Sequence, residues 1–191
     1  RGGGSFVFED VTLDQGSFVV GDGSSARAAG VIRINNDAVL QVASTGKETL
    51  LHVAGGLRLA GDGTGRVTLS DSSHQGMAKL SFALPTRVIL DVTNENVTIH
   101  GDGQVGHEQI DLSNEADGTI DADVAGRTLA LTLSHSVQNS GLFQASNGGI
   151  LAIETAVQNA GGTIAAQDGS IVRLAGVIIA GGTLTGSGDG V

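Results

Sequence analysis

The chain of 191 residues contains no cysteine, tryptophan or tyrosine, and only one proline and five phenylalanines. Without cysteine it has no disulfides, no thiolate nucleophile and no cysteine-ligated zinc. Because large aromatic rings are scarce, the core has to be filled by Val, Ile, Leu and Ala, and we expect it to be thin. No apolar run approaches the roughly eighteen residues of a membrane-spanning helix, and no export signal opens the chain.

Basic residues are also few, since ten Lys and Arg stand against twenty Asp and Glu, for a formal net charge of −10. They are scattered along the chain, whereas phosphate binding needs clustered basic side chains, so we expect no nucleic-acid partner. The 31 glycines and 40% apolar residues exclude collagen-like and highly charged disordered chains. The composition shows no sharp change, and residues 1–191 are therefore expected to form a single domain.

Two spacings indicate an internal repeat. The first is twenty residues: Val137-Gln138-Asn139 recurs as Val157-Gln158-Asn159, Val177 stands in step, and the glycine pair at 161 and 162 recurs at 181 and 182. The second is forty residues, because Gly-Asp-Gly begins at 21, 61 and 101. We interpret forty residues as two coils of the shorter repeat.

Short runs between these turns alternate apolar and polar residues, for example Leu57-Arg58-Leu59, Val97-Thr98-Ile99 and Val172-Arg173-Leu174. Period-two alternation is typical of half-buried strands, and strands this short need stacked neighbours to bury their apolar side. The sequence therefore predicts an all-β fold, a right-handed parallel β-helix (β-solenoid) of about nine coils of about 20 residues. Stacked coils would also align Asn139 with Asn159, so that their side-chain amides stack.

Two places depart from the repeat. Residues 71 to 87, which include Pro85, fit the spacing worst and predict a protruding loop or a bulge. The ends carry no recognisable cap: the chain opens on Arg1-Gly2-Gly3-Gly4-Ser5 and closes in mid-pattern. From this we expect a piece of a longer repeat protein, or a filament subunit that stacks end to end.

The pattern is similar to that of a known group of proteins. Val97-Thr98-Ile99 leads into Gly101-Asp102-Gly103-Gln104-Val105-Gly106, Asn114 precedes Gly118-Thr119-Ile120-Asp121-Ala122, and the Val-Gln-Asn coils follow from 137 to 184. In these features the chain resembles the repeat regions of large bacterial exported β-helix proteins, the filamentous-haemagglutinin-like and autotransporter-passenger adhesins. The resemblance is best from about residue 90 to residue 191. It implies an elongated protein at the bacterial surface, often with adhesive or matrix roles.

Two motifs suggest ligands. Residues 101 to 106 match the dinucleotide fingerprint G-x-G-x-x-G, but an alternating strand follows where a helix N-terminus is required, so we interpret them as a turn. Between Asp102 and Asp123 there are seven acids and no Lys or Arg. Calcium prefers such oxygen-rich places. A calcium site at Asp117, Asp121 and Asp123 is therefore a secondary hypothesis, and the primary interpretation is a solvated acidic face.

An enzymatic alternative rests on paired carboxylates. A carbohydrate-acting β-helix enzyme or a phage tail-spike module would use acid and base carboxylates on adjacent coils, and the candidates are Asp91, Asp111, Asp121 and Asp123. Sugar-binding Trp and Tyr platforms are absent, which favours a protein that is not an enzyme. The five histidines, at 52, 74, 100, 107 and 135, occupy different points of the coil and are expected at the surface.

The sequence thus predicts a non-catalytic structural or adhesive solenoid, located outside the cell or on the bacterial surface. Its expected partners are further copies stacked end to end or neighbouring repeats of the same protein, and a host or matrix surface. We expect no catalytic residues and no cofactor other than the calcium considered above.

Overall fold

The computed structural model describes residues 5–73, 75, 77–81, 89–106 and 109–191. These residues form an all-β solenoid of parallel strands with about eight turns, so the predicted parallel β-helix is confirmed. Each turn supplies a strand to each of three faces. Two of these faces form one continuous sheet of fourteen strands, because β4 and β6 run around the corner between them, and the third face is a separate sheet of eight strands.

The strand bounds follow the three faces. The first face contains β1 (Ser5–Glu9), the beginnings of β4 (Ser25–Asn35) and β6 (Thr49–Gly61), β8 (Ala78–Ser81), β11 (Gly103–Val105), β14 (Thr128–Leu131), β17 (Ile150–Ile153) and β20 (Ile171–Leu174). The second contains β2 (Thr12–Asp14), the ends of β4 and β6, β9 (Leu90–Asn94), β12 (Ile110–Asn114), β15 (Val137–Asn139), β18 (Val157–Gln158) and β21 (Ile179–Ala180). The third contains β3 (Ser17–Val20), β5 (Val39–Ser44), β7 (Arg66–Asp71), β10 (Thr98–Gly101), β13 (Thr119–Ala122), β16 (Leu142–Ala145), β19 (Thr163–Ala166) and β22 (Thr183–Gly186).

The core consists of ladders of inward-facing apolar side chains, one residue from each turn. Two ladders run through all eight turns. The ladder of the first face is Phe6, Ala26, Leu51, Leu80, Val105, Leu131, Ile153 and Leu174. The ladder of the third face is Phe18, Leu40, Val67, Ile99, Ile120, Phe143, Ile164 and Leu184. Their inner members are buried, and this burial of apolar surface between turns is the main source of stability in a stacked fold.

A buried polar ladder replaces an apolar one at the end of the second face. Asn94, Asn114, Asn139 and Asn159 lie in successive turns, and each Nδ2 donates to the Oδ1 of the next asparagine at 2.8, 2.9 and 2.7 Å. All four side chains are at most 1% exposed. The predicted stacking of Asn139 on Asn159 is confirmed, and the ladder extends to two further turns. Hydrogen bonding from turn to turn offsets the cost of burying these amides.

Glycines line this asparagine ladder because the neighbouring turns approach closely. A Cβ on Gly162 would lie 2.4 Å from the backbone oxygen of Asn139, and one on Gly141 would lie 2.2 Å from that of Glu115. Both distances are shorter than any non-bonded contact between carbon and oxygen. Gly162 and Gly182 precede the paired threonines Thr163 and Thr183, so the twenty-residue spacing of the glycine pairs is confirmed.

The number of turns, about eight, is close to the predicted nine coils, and the turns differ in length. Val137 pairs with Val157 twenty residues later, but Leu57 pairs with Val92 thirty-five residues later. The predicted alignment of Val177 with Val157 is wrong, since Ile179 and not Val177 pairs with Val157.

The forty-residue spacing of Gly-Asp-Gly does not mark stacked coils. Gly61 pairs with Ile34 at the end of the second face, whereas Gly101 pairs with Leu69 on the third face. The first copy, at residue 21, follows β3 and thus also lies after the third face. The three copies recur because tight corners favour glycine next to a short polar side chain, and such corners occur at more than one edge of the solenoid.

The loop or bulge expected at residues 71 to 87 is replaced in part by ordinary structure. Ala78–Ser81 form β8 within the sheet, and Asp71 is 2% exposed. The carboxylate of Asp71 accepts hydrogen bonds from the amides of Ser73, Gln75 and Met77 at 3.0, 3.0 and 2.7 Å, which close the corner between the turns. Residues 74, 76 and 82–87 of the expected loop lie outside the described residues.

The strands carry all of the regular structure in the described ranges. No helix there is long and apolar enough to cross a membrane.

Candidate functional site

The candidate site is a row of outward-facing polar side chains on the third face. Thr68, His100, Asp121 and Gln144 are paired in register on β7, β10, β13 and β16. Side chains alternate between the two sides of a strand, so Asp123 points to the same side as Asp121, just past the end of β13. We call these five residues the polar track.

His100 connects three turns of the solenoid. Its Nε2 lies 2.8 Å from Oγ1 of Thr68 in the third turn, and its Nδ1 lies 2.8 Å from Oδ2 of Asp123 in the fifth. The side chains of His100 and Asp123 are 22% and 25% exposed. Water is therefore partly excluded from this contact, and its hydrogen bond is stronger than one at a fully exposed position.

Asp121 continues the polar track into the sixth turn. Its Oδ2 accepts hydrogen bonds from Nε2 of Gln144 at 2.7 Å and from Oγ of Ser146 at 3.0 Å. Gln144 in turn accepts a hydrogen bond at 3.2 Å from Nε2 of Gln167 in the seventh turn. Side-chain hydrogen bonds thus run along the rod from Thr68 to Gln167, apart from a step between Asp121 and Asp123.

The pKa values of the two carboxyl groups of the polar track are shifted in opposite directions. Burial is the main cause that raises the pKa of Asp121 above its ordinary value, and the negative charge of Asp123 raises it further. The hydrogen bond from His100 is the main cause that lowers the pKa of Asp123, and it outweighs the burial that acts against it. A carboxyl group with a raised pKa next to one with a lowered pKa is the pattern of acid–base pairs, although ion-pair networks without catalytic function also produce it.

The polar track lies in an open groove of about 420 Å³. Besides His100, Asp121, Asp123 and Gln144, the groove is lined by Arg66, Thr98, Thr119 and Leu142. Arg66 is exposed and makes no ion pair within the part of the chain that the structure describes. The groove therefore presents a cation, two carboxyl groups and two hydroxyls to a polar ligand.

The structure divides the four acids of the enzymatic alternative into two separate pairs. Asp121 and Asp123 share the polar track, whereas Asp91 and Asp111 are stacked in register on the second face. Asp111 accepts a hydrogen bond at 2.8 Å from the amide of Ser136, which makes it part of a corner. A four-carboxylate site is thus not formed.

The fold brings together only two of the three residues of the predicted calcium site. Asp117 is exposed at the corner before β13, while Asp121 and Asp123 lie in the polar track. Among the described residues, no group of three His, Asp or Glu side chains is arranged to hold a metal ion. Calcium binding stays a prediction from the sequence.

The glycine-rich segment at 101 to 106 has the geometry of a corner. Gly101, Gly103 and Gly106 have positive φ values of 115°, 141° and 97°. A Cβ on Gly101 would lie 1.9 Å from the backbone oxygen of Leu69 in the preceding turn. The glycines are therefore required by turn-to-turn packing, and the segment itself contains β11 (Gly103–Val105).

The sequence interpretation missed His100 as a site residue, together with Thr68, Arg66 and Gln144. His100 precedes its register partner Asp121 by twenty-one residues, close to the predicted period, so the repeat itself could have brought the two together. Of the other histidines, His52 is partly buried and His135 is exposed, and His74 and His107 lie outside the described residues.

Comparison of the chain with protein-family models, with curated proteins and with solved structures finds no match in any of the three.

Proposed function

We propose that the chain is a non-catalytic structural or adhesive segment of an extracellular bacterial rod, which spaces or displays other parts of a surface filament or matrix. The bacterial and extracellular parts of this proposal rest on the resemblance of residues 90 to 191 to exported adhesin repeats. The rod-forming part rests on the stacked turns.

The observation that carries the proposal is the exposure of the first and last side chains in the apolar ladders of the first and third faces. Phe6 and Phe18 of the first turn are each 38% exposed, and Leu174 and Leu184 of the last are 42% and 58% exposed. At the last turn these side chains border an apolar groove of about 340 Å³. One more coil on either end would bury them and pair the open strand edges, and we propose that a coil of a second copy, or of a neighbouring repeat of the same protein, fills this place.

Electron microscopy and light scattering over a range of concentrations test the proposal. We expect rods that lengthen with concentration, and Leu184→Asp or Phe18→Asp should shorten them to single units, because each places a charge in the stacked face. Val124→Asp is the matched control, since Val124 is 38% exposed but lies at a corner along the side. A wild-type chain that stays a monodisperse monomer at high concentration would contradict end-to-end stacking.

The second candidate function is that of a carbohydrate-acting enzyme, with Asp121 as acid and Asp123 as base. The opposite pKa shifts of these two neighbouring carboxyl groups favour it, and so does the groove around them. The test is hydrolysis of acidic and neutral polysaccharides. Activity that is lost in Asp121→Asn and Asp123→Asn, and kept in Asp111→Asn, would replace the rod with an enzyme as our conclusion.

A further inference from the structure

Each carboxyl group of the polar track accepts side-chain hydrogen bonds through only one of its two oxygens. Oδ2 of Asp121 accepts from Gln144 and Ser146, and Oδ2 of Asp123 faces Nδ1 of His100. Their Oδ1 atoms are shielded from solvent and have no hydrogen-bond partner among the described residues. Shielded carboxylate oxygens without donors are costly while both groups are ionised, and a proton on one of the groups lowers that cost. The backbone amides of Asp123 and Gly101 add to the lowering of the pKa of Asp123, which leaves Asp121 as the group that takes the proton.

We propose that Asp121 and Asp123 form a proton-dependent clasp between the fourth, fifth and sixth turns, which is closed when Asp121 carries a proton and Asp123 does not. In the closed state, Asp123 holds His100 of the fourth turn, and neutral Asp121 still accepts from Gln144 and Ser146 of the sixth through Oδ2. Oδ1 carries the proton. Ionisation of Asp121 places a second negative charge in a partly buried groove and weakens the contact between these turns.

The groups that face the clasp favour this assignment. Asp123 raises the pKa of Asp121, and His100 acts in the opposite direction from β10. Arg66 on β7 is the other charged side chain that lines the groove, and β16 contributes only the uncharged Gln144 and Ser146. Arg66 is exposed, so solvent screens its charge, whereas the burial of Asp121 acts directly on its carboxyl group.

The sign of the pH dependence differs for the two carboxyl groups. The pKa of Asp121 is raised in the folded chain, so its contribution to stability is complete below the ordinary value of 3.8 and is lost as the pH rises through the raised value. The pKa of Asp123 is lowered, so its contribution is complete above 3.8 and is lost as the pH falls through the lowered value. The clasp is therefore most stable between the two folded-state values.

Urea unfolding of the full chain at a series of pH values between about 4 and 8 tests the clasp. At neutral pH we expect Asp121→Asn to raise the urea midpoint by roughly a few tenths of a molar, because asparagine is uncharged like protonated Asp121. We expect Asp123→Asn to lower the midpoint. Asp117→Asn removes a carboxylate from an exposed position and is the matched control. If Asp121→Asn and Asp117→Asn give the same midpoints throughout, the proposal is wrong.

A second measurement does not depend on how the variants fold. The side-chain carboxyl carbon of Asp121 is followed by NMR in the wild-type chain as the pH is changed. A pKa of Asp121 above the ordinary range of aspartate supports the clasp, and a pKa within or below that range overturns it. Neither experiment depends on end-to-end stacking, so a chain that does not form rods could still contain the clasp.

Discussion

In the early turns, exposed carboxylates such as Asp22 and Asp62 accept hydrogen bonds from amides at the corners of the solenoid, whereas in the fourth to seventh turns the buried asparagine ladder fills one corner. Asp22 accepts hydrogen bonds from the amides of Thr45 and Lys47 at 2.8 and 2.9 Å, and Asp62 accepts one from the amide of Asn36 at 2.7 Å. The position that Asn94 occupies in the fourth turn belongs to buried Leu59 in the third.

The difference shows that the same three-faced turn can be closed in two ways with different physical costs. An exposed carboxylate remains partly hydrated, so each bond that it accepts adds little to stability and depends on pH and salt. A buried amide depends on its neighbours in the ladder, because an unpaired one costs about 1–3 kcal/mol. We therefore expect substitutions in the later turns to have the larger effects.

The largest effect is expected for Asn114→Ala in the middle of the ladder. The change removes the acceptor for Nδ2 of Asn94 and the donor to Oδ1 of Asn139, and it leaves a small cavity. We expect a loss of about 3–4 kcal/mol in the free energy of unfolding, measured by urea denaturation. Gln138→Ala is the control, since Gln138 is exposed on the adjacent strand, and its change should be below about 0.5 kcal/mol.

The reciprocal change, an asparagine introduced in the third turn, tests whether the asparagine ladder can be extended. Leu59→Asn loses apolar burial but places an amide in register with Asn94, where it can extend the ladder by one turn. Leu69→Asn loses the same burial with no asparagine beside it, since its partner is Gly101. We expect Leu59→Asn to cost about 1 kcal/mol less than Leu69→Asn in the same unfolding assay. Equal costs would mean that the ladder cannot be extended into the earlier turns.

A somewhat smaller effect is expected from a methyl group beside the ladder. Gly162→Ala forces a Cβ to within 2.4 Å of the oxygen of Asn139 and should cost about 2–3 kcal/mol by separating two turns. In the early turns, Gly56 of β6 has no atom within 4 Å of the corresponding position. Gly56→Ala should therefore be neutral or slightly stabilising, since it restricts the unfolded chain. Thermal unfolding of both variants gives the comparison directly.

Acid is expected to act on the early turns through their carboxylates. The amide of Asn36 is the first cause that lowers the pKa of Asp62, and the hydroxyl and amide of Thr64 add to it. The contribution of Asp62 is therefore complete above the ordinary value of 3.8 and is lost as the pH falls through the lowered value. Asp62→Asn should reduce the difference between the urea midpoints at about pH 6 and about pH 3. Asp117→Asn, at an exposed corner of the fifth turn, is the control for removal of a carboxylate.

The smallest effect is expected at the boundary between the two regions, where Arg58 of the third turn pairs with Glu95 of the fourth. The side chain of Arg58 is 56% exposed. Arg58→Ala should cost no more than about 0.5 kcal/mol, and about 1 M salt should remove the difference from the wild type. A salt-independent loss would indicate that the aliphatic part of Arg58, rather than its charge, stabilises the boundary.

The repeat could be predicted well where turns are short and poorly where they are long. Val137 and Val157 are paired twenty residues apart, and the sequence motif and the register coincide. Leu57 and Val92 carry no shared motif, and the thirty-five residues between them include corners of different length. Corner length depends on contacts between turns, such as the three amides on Asp71, and these are not visible as a local pattern.

The sequence interpretation found the candidate site only within one strand. Strand alternation places Asp121 and Asp123 on one side, and this requires no knowledge of the neighbouring turns. Thr68 comes thirty-two residues before its partner His100, across a turn of unusual length, so the sequence does not bring them together. The lowered pKa of Asp123 depends on His100, and the raised pKa of Asp121 depends on its burial. Neither cause is visible in the sequence, so both carboxylates could be interpreted equally well as a calcium site, an enzyme site or a solvated face.

The parallel stacking of the turns also has a mechanical consequence. The hydrogen bonds between turns point along the axis of the rod, so a pulling force applied at its two ends loads the bonds of one turn at a time. Each turn that peels away should release a contour length of about 70 to 120 Å, from its twenty to thirty-five residues at about 3.4 Å each. The rod would thus yield to force in separate steps, and the steps of greatest resistance should come from the turns that share the asparagine ladder.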